Sequence, residues 1–212
     1  MNSSAPAGTT LPTTATERPL ILGSSSPYRR VLLERLRIGF EVVVPDVDET
    51  PLPGEAPRAL AERLALAKAR AVASAFPHAV VIGSDQVADL DGTPLGKPGG
   101  HDRAVAQLHR MRGKTVIFYT AVAVVCLDGG FERVEMAEVG VKFRDSSDSE
   151  IENYLRAELP YDCAGSAKSE GLGIALLEAI DSDDPTALVG LPLIRTCTLL
   201  RAAGVDLLGG RR

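Results

Sequence analysis

Residues 79–87, with the sequence AVVIGSDQV, are the stretch around which the rest of the chain is organised. Their apolar residues run directly into Gly83 and Ser84, a pattern that predicts a strand buried on both faces and ending in a loop. Asp85 is then expected just beyond the carboxyl end of the strand, at the edge where open α/β sheets bind ligands. The aspartate is either a catalytic residue or the cap of a turn, and this stretch alone does not separate the two.

The composition is that of a globular protein. Its 212 residues, 45% of them hydrophobic, suffice for one domain or a compact pair of lobes. No apolar run approaches the roughly 20 residues that span a bilayer, and the first residues lack the pattern of a signal peptide, so we expect a cytoplasmic location. The net charge of −5, without a basic cluster, argues against a nucleic-acid polymer as partner but permits a single nucleotide.

The chain divides into a tail and a single α/β domain. Residues 1–18, rich in Ser, Thr, Ala and Pro, predict a disordered tail, and residues 19–209 predict the domain. After a short strand and three serines, Ser26 is a suitable N-cap for a helix that begins at Pro27. Arg29 and Arg30 follow at that helix N-terminus, a position that commonly binds phosphate in proteins. The same residues also fit an ordinary capped helix whose arginines face solvent.

Two further segments carry charges that suggest a ligand. After a strand at 40–44, the acidic loop 46–49 either helps to hold a hard divalent cation or is an exposed turn. Apolar spacing predicts a helix over 57–76, in which Lys68 lies within the apolar stripe. A lysine in that position either extends to the edge of the core or reaches a buried anionic site.

The remaining elements follow from local signals. Asp91-Gly92 predicts a tight hairpin whose returning strand would bring Lys97 opposite Gln86. The loop 163–171, CAGSAKSEG, combines small residues that let the backbone approach a ligand with the charged Lys168 and Glu170. Other predicted elements are a helix at 102–112, strands at 115–127, 131–143 and 173–177, a capping-box helix after Ser147, and a closing helix at 191–203.

Taken together, these motifs resemble those of the Maf family of nucleoside triphosphate pyrophosphatases, also called septum-formation inhibitors. The resemblance extends over residues 19–209 and is specific because the motifs occur together. They are SSSPYRR at 24–30, VDET at 47–50, the helix that contains Lys68, GSDQV at 83–87, GKP at 96–98 and CAGSAKSEG at 163–171.

The resemblance implies a Maf/ITPase-like α/β fold: an elongated, curved mixed sheet flanked by helices, with two lobes around a central cleft, in a homodimer. It also implies a hydrolase acting on acid anhydrides, which converts a nucleoside triphosphate to the monophosphate and pyrophosphate with a divalent cation (Mg²⁺, Mn²⁺ or Co²⁺). Asp85 would be the proton acceptor, and Glu49 with Asp85 would place the metal. The triphosphate would be held by Ser24, Arg29, Arg30, Lys68, Lys97 and Lys168.

Within the family, the residues at the positions that track base choice are Tyr28, Gln86 and Glu170. This set resembles the 7-methyl-GTP branch, in which the enzyme removes modified nucleotides from the pool, although Tyr28 stands where tryptophan is frequent. A 7-methylated guanine is positively charged, so an aromatic face and a carboxylate both favour it. The alternatives are a dTTP/UTP pyrophosphatase, where Arg, Thr and Gln would be expected, and a nucleotide-binding regulator of septation and cell-division arrest.

Overall fold

The described strands form one mixed sheet whose order is β2-β1-β3-β5-β6-β7, with β4 beside β3. The structure, a computed structural model, describes residues 18–208; the predicted tail lies outside them except for Arg18. β1 runs parallel to β2 and β3, and the other neighbouring strands are antiparallel. The strands are β1 (Leu20–Gly23), β2 (Glu41–Val43), β3 (Val80–Leu90), β4 (Thr93–Leu95), β5 (Thr115–Cys126), β6 (Phe131–Phe143) and β7 (Leu177–Asp181).

Five α-helices of the described part pack on this sheet, which confirms the expected mixed α/β class. They are α1 (Pro27–Glu34), α2 (Pro57–Ala75), α3 (His101–Met111), α4 (Asp148–Glu158) and α5 (Leu193–Ala202). The Ser26 side chain caps α1, and the capping box of Ser147 and Glu150 is present on α4, as predicted. Within residues 18–208, no helix combines the length and hydropathy needed to cross a membrane.

The expectation that β3 ends before Asp85 is wrong. β3 pairs with β1 only as far as Gly83, but its pairing with β5 on the other side continues to Asp89, so the chain stays extended through Asp85. β4 joins the first side of β3 only from Ala88 onward. Among the described strands, residues 84–87 of β3 therefore have a neighbour on one side only, which leaves a gap in the sheet beside Asp85.

Gly83 determines how closely α2 packs on β3. A Cβ atom at this position would lie 2.3 Å from the carbonyl oxygen of Ala65 and 2.5 Å from the backbone nitrogen of Ala69. Only glycine permits such an approach, since any side chain would overlap the helix backbone. The contact places Lys68, one residue before Ala69, against the strand that carries Asp85.

Two other local predictions also differ from the structure. The Asp91-Gly92 hairpin forms as predicted, but β4 ends at Leu95, so the ladder stops two residues before the expected pairing of Lys97 with Gln86. The predicted strand at 173–177 is a short 3-10 helix, Leu172–Leu176. A Cβ on Gly173 would lie 2.5 Å from the carbonyl oxygen of Lys168, so the chain turns tightly here and β7 begins only afterwards.

Candidate active site

A buried ion cluster lies beside the gap in the sheet. The Lys68 ammonium of α2 is 2.6 Å from Asp85 Oδ1 on β3 and 2.8 Å from Glu49 Oε1 on the loop after β2. Lys68 and Asp85 are 5% and 7% exposed, whereas the Glu49 side chain is more than half exposed. Of the two alternatives for Lys68, the structure therefore favours the anionic site over extension into solvent.

Two more cations act on this cluster. The Arg29 guanidinium at the start of α1 donates from Nε to the carbonyl oxygen of Gly190 at 2.8 Å. Burial lowers the pKa of Arg29, and the negative charges of Asp85 and Glu49 oppose that shift. Burial acts to raise the pKa of Glu49, but the Lys68 hydrogen bond and the charges of Lys97 and Arg29 outweigh it, so the net shift is downward. The Lys68 ammonium thus lies between two carboxylates, and the charges of Arg29 and Lys97 act on Glu49 from further away.

The two carboxylates also fit a divalent cation. Within residues 18–208 there is no group of three or more His, Cys, Asp or Glu side chains arranged as a complete metal site. Ions of the Mg²⁺ type need no such site, because they are commonly held by one or two carboxylates together with water and phosphate oxygens. Glu49 and Asp85 converge on one ammonium and supply this kind of oxygen pair.

On the opposite face of β3, the loop of residues 187–190 holds Gln86, the next residue of the strand. Gln86 Nε2 lies 3.0 Å from Thr120 Oγ1 and from the carbonyl oxygens of Ala187 and Leu188. Carbonyl oxygens only accept hydrogen bonds, so the amide nitrogen must face them and Oε1 must point away. The same loop provides the Gly190 carbonyl oxygen that contacts Arg29 and lies 3.1 Å from Ser84 Oγ.

Asp184, for which no functional role was predicted, holds this loop in place. Its carboxylate is fully buried and accepts hydrogen bonds from the backbone N–H groups of Ile194 and Arg195 at the start of α5. It also accepts from the hydroxyl of Thr186 at 3.0 Å. Asp184 stands in the acidic run Asp181–Asp184, and no local signal distinguishes a buried carboxylate in such a run from an exposed one.

A third group of side chains surrounds Tyr28 on α1. Its hydroxyl donates to Asp162 Oδ2 at 3.1 Å, and the Lys168 ammonium lies 5.7 Å from the centre of its ring. The same ammonium is 3.5 Å from Asp162 Oδ1. Asp162 was missed because it precedes the loop motif at 163–171 and lies in no recognisable pattern.

Three other predicted site residues, Arg30, Ser24 and Glu170, make their side-chain hydrogen bonds and ion pairs with near neighbours in sequence and not with these groups. Arg30 pairs with Glu34 on the exposed side of α1 at 3.0 Å. Ser24 is buried, and its Oγ accepts the backbone N–H of Ser26 at 3.1 Å. Glu170 is exposed and lines a pocket of about 220 Å³ together with Val139, Ile180 and Leu188, among others.

Comparisons with known proteins agree with the resemblance. The 7-methyl-GTP pyrophosphatase of Polaromonas sp. strain JS666 is 76% identical over 198 residues, which cover 93% of this chain and 90% of that protein. The protein of the same name from Albidiferax ferrireducens is 70% identical over 193 residues, covering 91% and 97%. The solved structure of the Staphylococcus aureus Ham1 protein aligns with a TM-score of 0.44 and 17% identity, over 61% of this chain and 73% of that one. The family model for Maf-like proteins matches residues 19–203, and the chain therefore belongs to the Maf family.

Proposed function

We propose that this chain hydrolyses 7-methyl-GTP to 7-methyl-GMP and pyrophosphate and so removes a modified nucleotide from the pool. The observation that carries the proposal is the buried pair of Asp85 and Lys68, with Glu49, at the gap in the sheet. The high identity to relatives named for this activity supports the choice of substrate.

In this mechanism Asp85 takes a proton from the water that attacks the α-phosphorus. Arg29, Lys68 and Lys97 neutralise the charge of the triphosphate oxygens, and the pyrophosphate leaving group is stabilised by the same cations. A divalent cation (Mg²⁺, Mn²⁺ or Co²⁺) held by Glu49 and Asp85 would add further neutralisation of the phosphate oxygens. Asp85 is nearly excluded from water, so a fixed cation beside it acts with little screening.

Ser24, Arg30 and Lys168 complete the proposed phosphate contacts. Arg30 would have to leave Glu34, which costs little because exposed pairs of this spacing contribute only about 0.3–0.5 kcal/mol. Lys168 would have to leave the face of Tyr28. For the base, we propose stacking on Tyr28 with polar contacts from Gln86 and Glu170. A homodimer in the cytoplasm is part of the same proposal.

The test is pyrophosphate release by the purified chain with 7-methyl-GTP, GTP, dTTP, UTP and CTP, each with Mg²⁺, Mn²⁺ or Co²⁺. We expect 7-methyl-GTP to be preferred and Asp85→Asn to lower kcat by about 100-fold or more, as loss of a general base does. Asp89→Asn is the matched control: it lies on the same face of β3, outside the ion cluster, and we expect it to keep its activity. Light scattering measures the oligomeric state.

Each contrary outcome points to a different alternative. Preference for dTTP or UTP would keep the mechanism and reject the substrate. Tight nucleotide binding without hydrolysis, unchanged in Asp85→Asn, would reject the enzyme and favour a nucleotide-binding regulator of cell division.

A further inference from the structure

The carboxylate next to the aromatic ring is Asp162. Its Oδ2 accepts the hydroxyl hydrogen bond of Tyr28 at 3.1 Å, and its Oδ1 lies 3.5 Å from the ammonium of Lys168. These two contacts hold Asp162 beside the ring. Its side chain is 58% exposed, so it is also open to a ligand.

The face of the Tyr28 ring already attracts a cation. The Lys168 ammonium lies 5.7 Å from the ring centroid, within the range of a cation–π interaction. A purine methylated at N7 carries a positive charge on a flat ring, so it is suited to the same position. If the base replaces the ammonium, Lys168 becomes free to meet a phosphate, and the Asp162 carboxylate faces the charge of the base instead.

Glu170, the carboxylate that sequence had placed at the base, has a different environment. It is exposed, and its Oε2 lies 3.5 Å from the hydroxyl of the neighbouring Ser169. The pocket that it lines includes Leu188, whose carbonyl oxygen accepts from Gln86, but no residue of the group around Tyr28. Burial raises the pKa of Tyr28, and the charged side chains that also act on that pKa are Lys168 and Asp162.

We infer that Asp162 is a specificity-determining residue, whose carboxylate selects the positively charged 7-methylated purine held on Tyr28. The inference rests on the proposed function and adds the group that recognises the positive charge of the base, as distinct from its methyl group.

The experiment compares kcat/KM for 7-methyl-GTP, GTP and 7-methyl-7-deaza-GTP, an analogue that keeps the methyl group and lacks the charge. In Asp162→Asn we expect the ratio of 7-methyl-GTP to GTP to fall roughly two- to fivefold, the range of an exposed ion pair. The ratio of the neutral analogue to GTP should not change. Glu170→Gln is made for comparison, because the proposed function also places that carboxylate at the base. A larger fall of the first ratio in Glu170→Gln than in Asp162→Asn would overturn the inference.

Tyr28→Phe separates a direct effect from an indirect one. It keeps the ring and removes only the hydroxyl that Asp162 accepts, so we expect the charge preference to persist. An equal loss in Tyr28→Phe and Asp162→Asn, or a loss that extends to the neutral analogue, would mean that Asp162 merely orients the ring and would overturn the inference.

The inference and the proposed function fail in different ways. If the wild-type chain shows no preference for 7-methyl-GTP, the proposed function is wrong and the inference falls with it. If the wild type has that preference and Asp162→Asn retains it in full, the inference alone is wrong.

Discussion

Replacing Lys68 by methionine tests the central ion pair most directly. Methionine keeps most of the apolar length of the side chain in α2 and removes only the ammonium. Asp85, 7% exposed, is then left without the partner that lies 2.6 Å away. The variant therefore measures what it costs to bury the Asp85 carboxylate unpaired.

The magnitude follows from the burial of the two partners. Breaking a buried ion pair by removing one side typically costs 3–5 kcal/mol of unfolding free energy, because the remaining charge stays desolvated. The positive charge of Arg29 still acts on Asp85, so we expect the lower end, about 3 kcal/mol. Glu49→Gln removes the other, largely exposed partner of Lys68 and should cost less than about 1 kcal/mol.

The assay is urea unfolding followed by far-ultraviolet circular dichroism, since the chain contains no tryptophan. Nucleotide and metal are left out because either would stabilise the folded state by binding to it. The double variant Lys68→Met, Asp85→Asn should recover part of the loss, since it removes both charges. A cost for Lys68→Met no greater than that for Glu49→Gln would refute the reasoning, because it would mean that the pair with Asp85 is solvated.

Two further predictions concern packing and pH. Gly83→Ala should lower the urea midpoint by the equivalent of about 3 kcal/mol and reduce pyrophosphate release, because the new methyl group meets the backbone of α2. Gly39→Ala is the control: the space around Gly39 is open, so neither quantity should change. Hydrogen bonding to Arg63 lowers the pKa of Glu55 from 4.5 to about 2, so this group stabilises the fold above about pH 4.5 and loses that effect as the pH falls toward 2. The difference in unfolding free energy between wild type and Glu55→Gln should therefore be largest at pH 6 and smaller at pH 3. A difference that stays constant would contradict the stabilising role of the Glu55–Arg63 hydrogen bond.

The elements that sequence predicted well are those specified by local patterns. The apolar spacing of α2, the capping box at Ser147 and the Asp91-Gly92 turn each depend on residues a few positions apart. The end of β3 is different, because it is decided by β5, which pairs with β3 as far as Asp89 and lies some 30 residues further along the chain. A strand's length depends on such a partner, and no pattern within residues 79–87 contains that information.

The same division applies to the site. The residue pattern left both Asp85 and Lys68 between two interpretations. For Lys68 the structure favours the anionic site, because Gly83 lets α2 approach the strand. Asp162 and Asp184 lay outside prediction altogether. Their side chains are positioned by contacts with Tyr28 and with the start of α5. Tyr28 is far from Asp162 in sequence, and an acidic residue in a loop gives no sign of such a partner.

The gap in the sheet beside residues 84–87 of β3 also accounts for the position of the candidate site. Successive residues of a strand point to opposite faces, so Asp85 meets Lys68 of α2 on one face and Gln86 meets the carbonyl oxygens of Ala187 and Leu188 on the other. A nucleotide that uses both residues has to cross the sheet. Along β3 it can do so only where one side has no neighbouring strand, and among the described strands that stretch is residues 84–87. If β3 had ended before Asp85, as the sequence pattern suggested, Asp85 and Gln86 would both lie in a loop. The alternation of the strand would then no longer place the proposed phosphate and base contacts on opposite faces of the sheet.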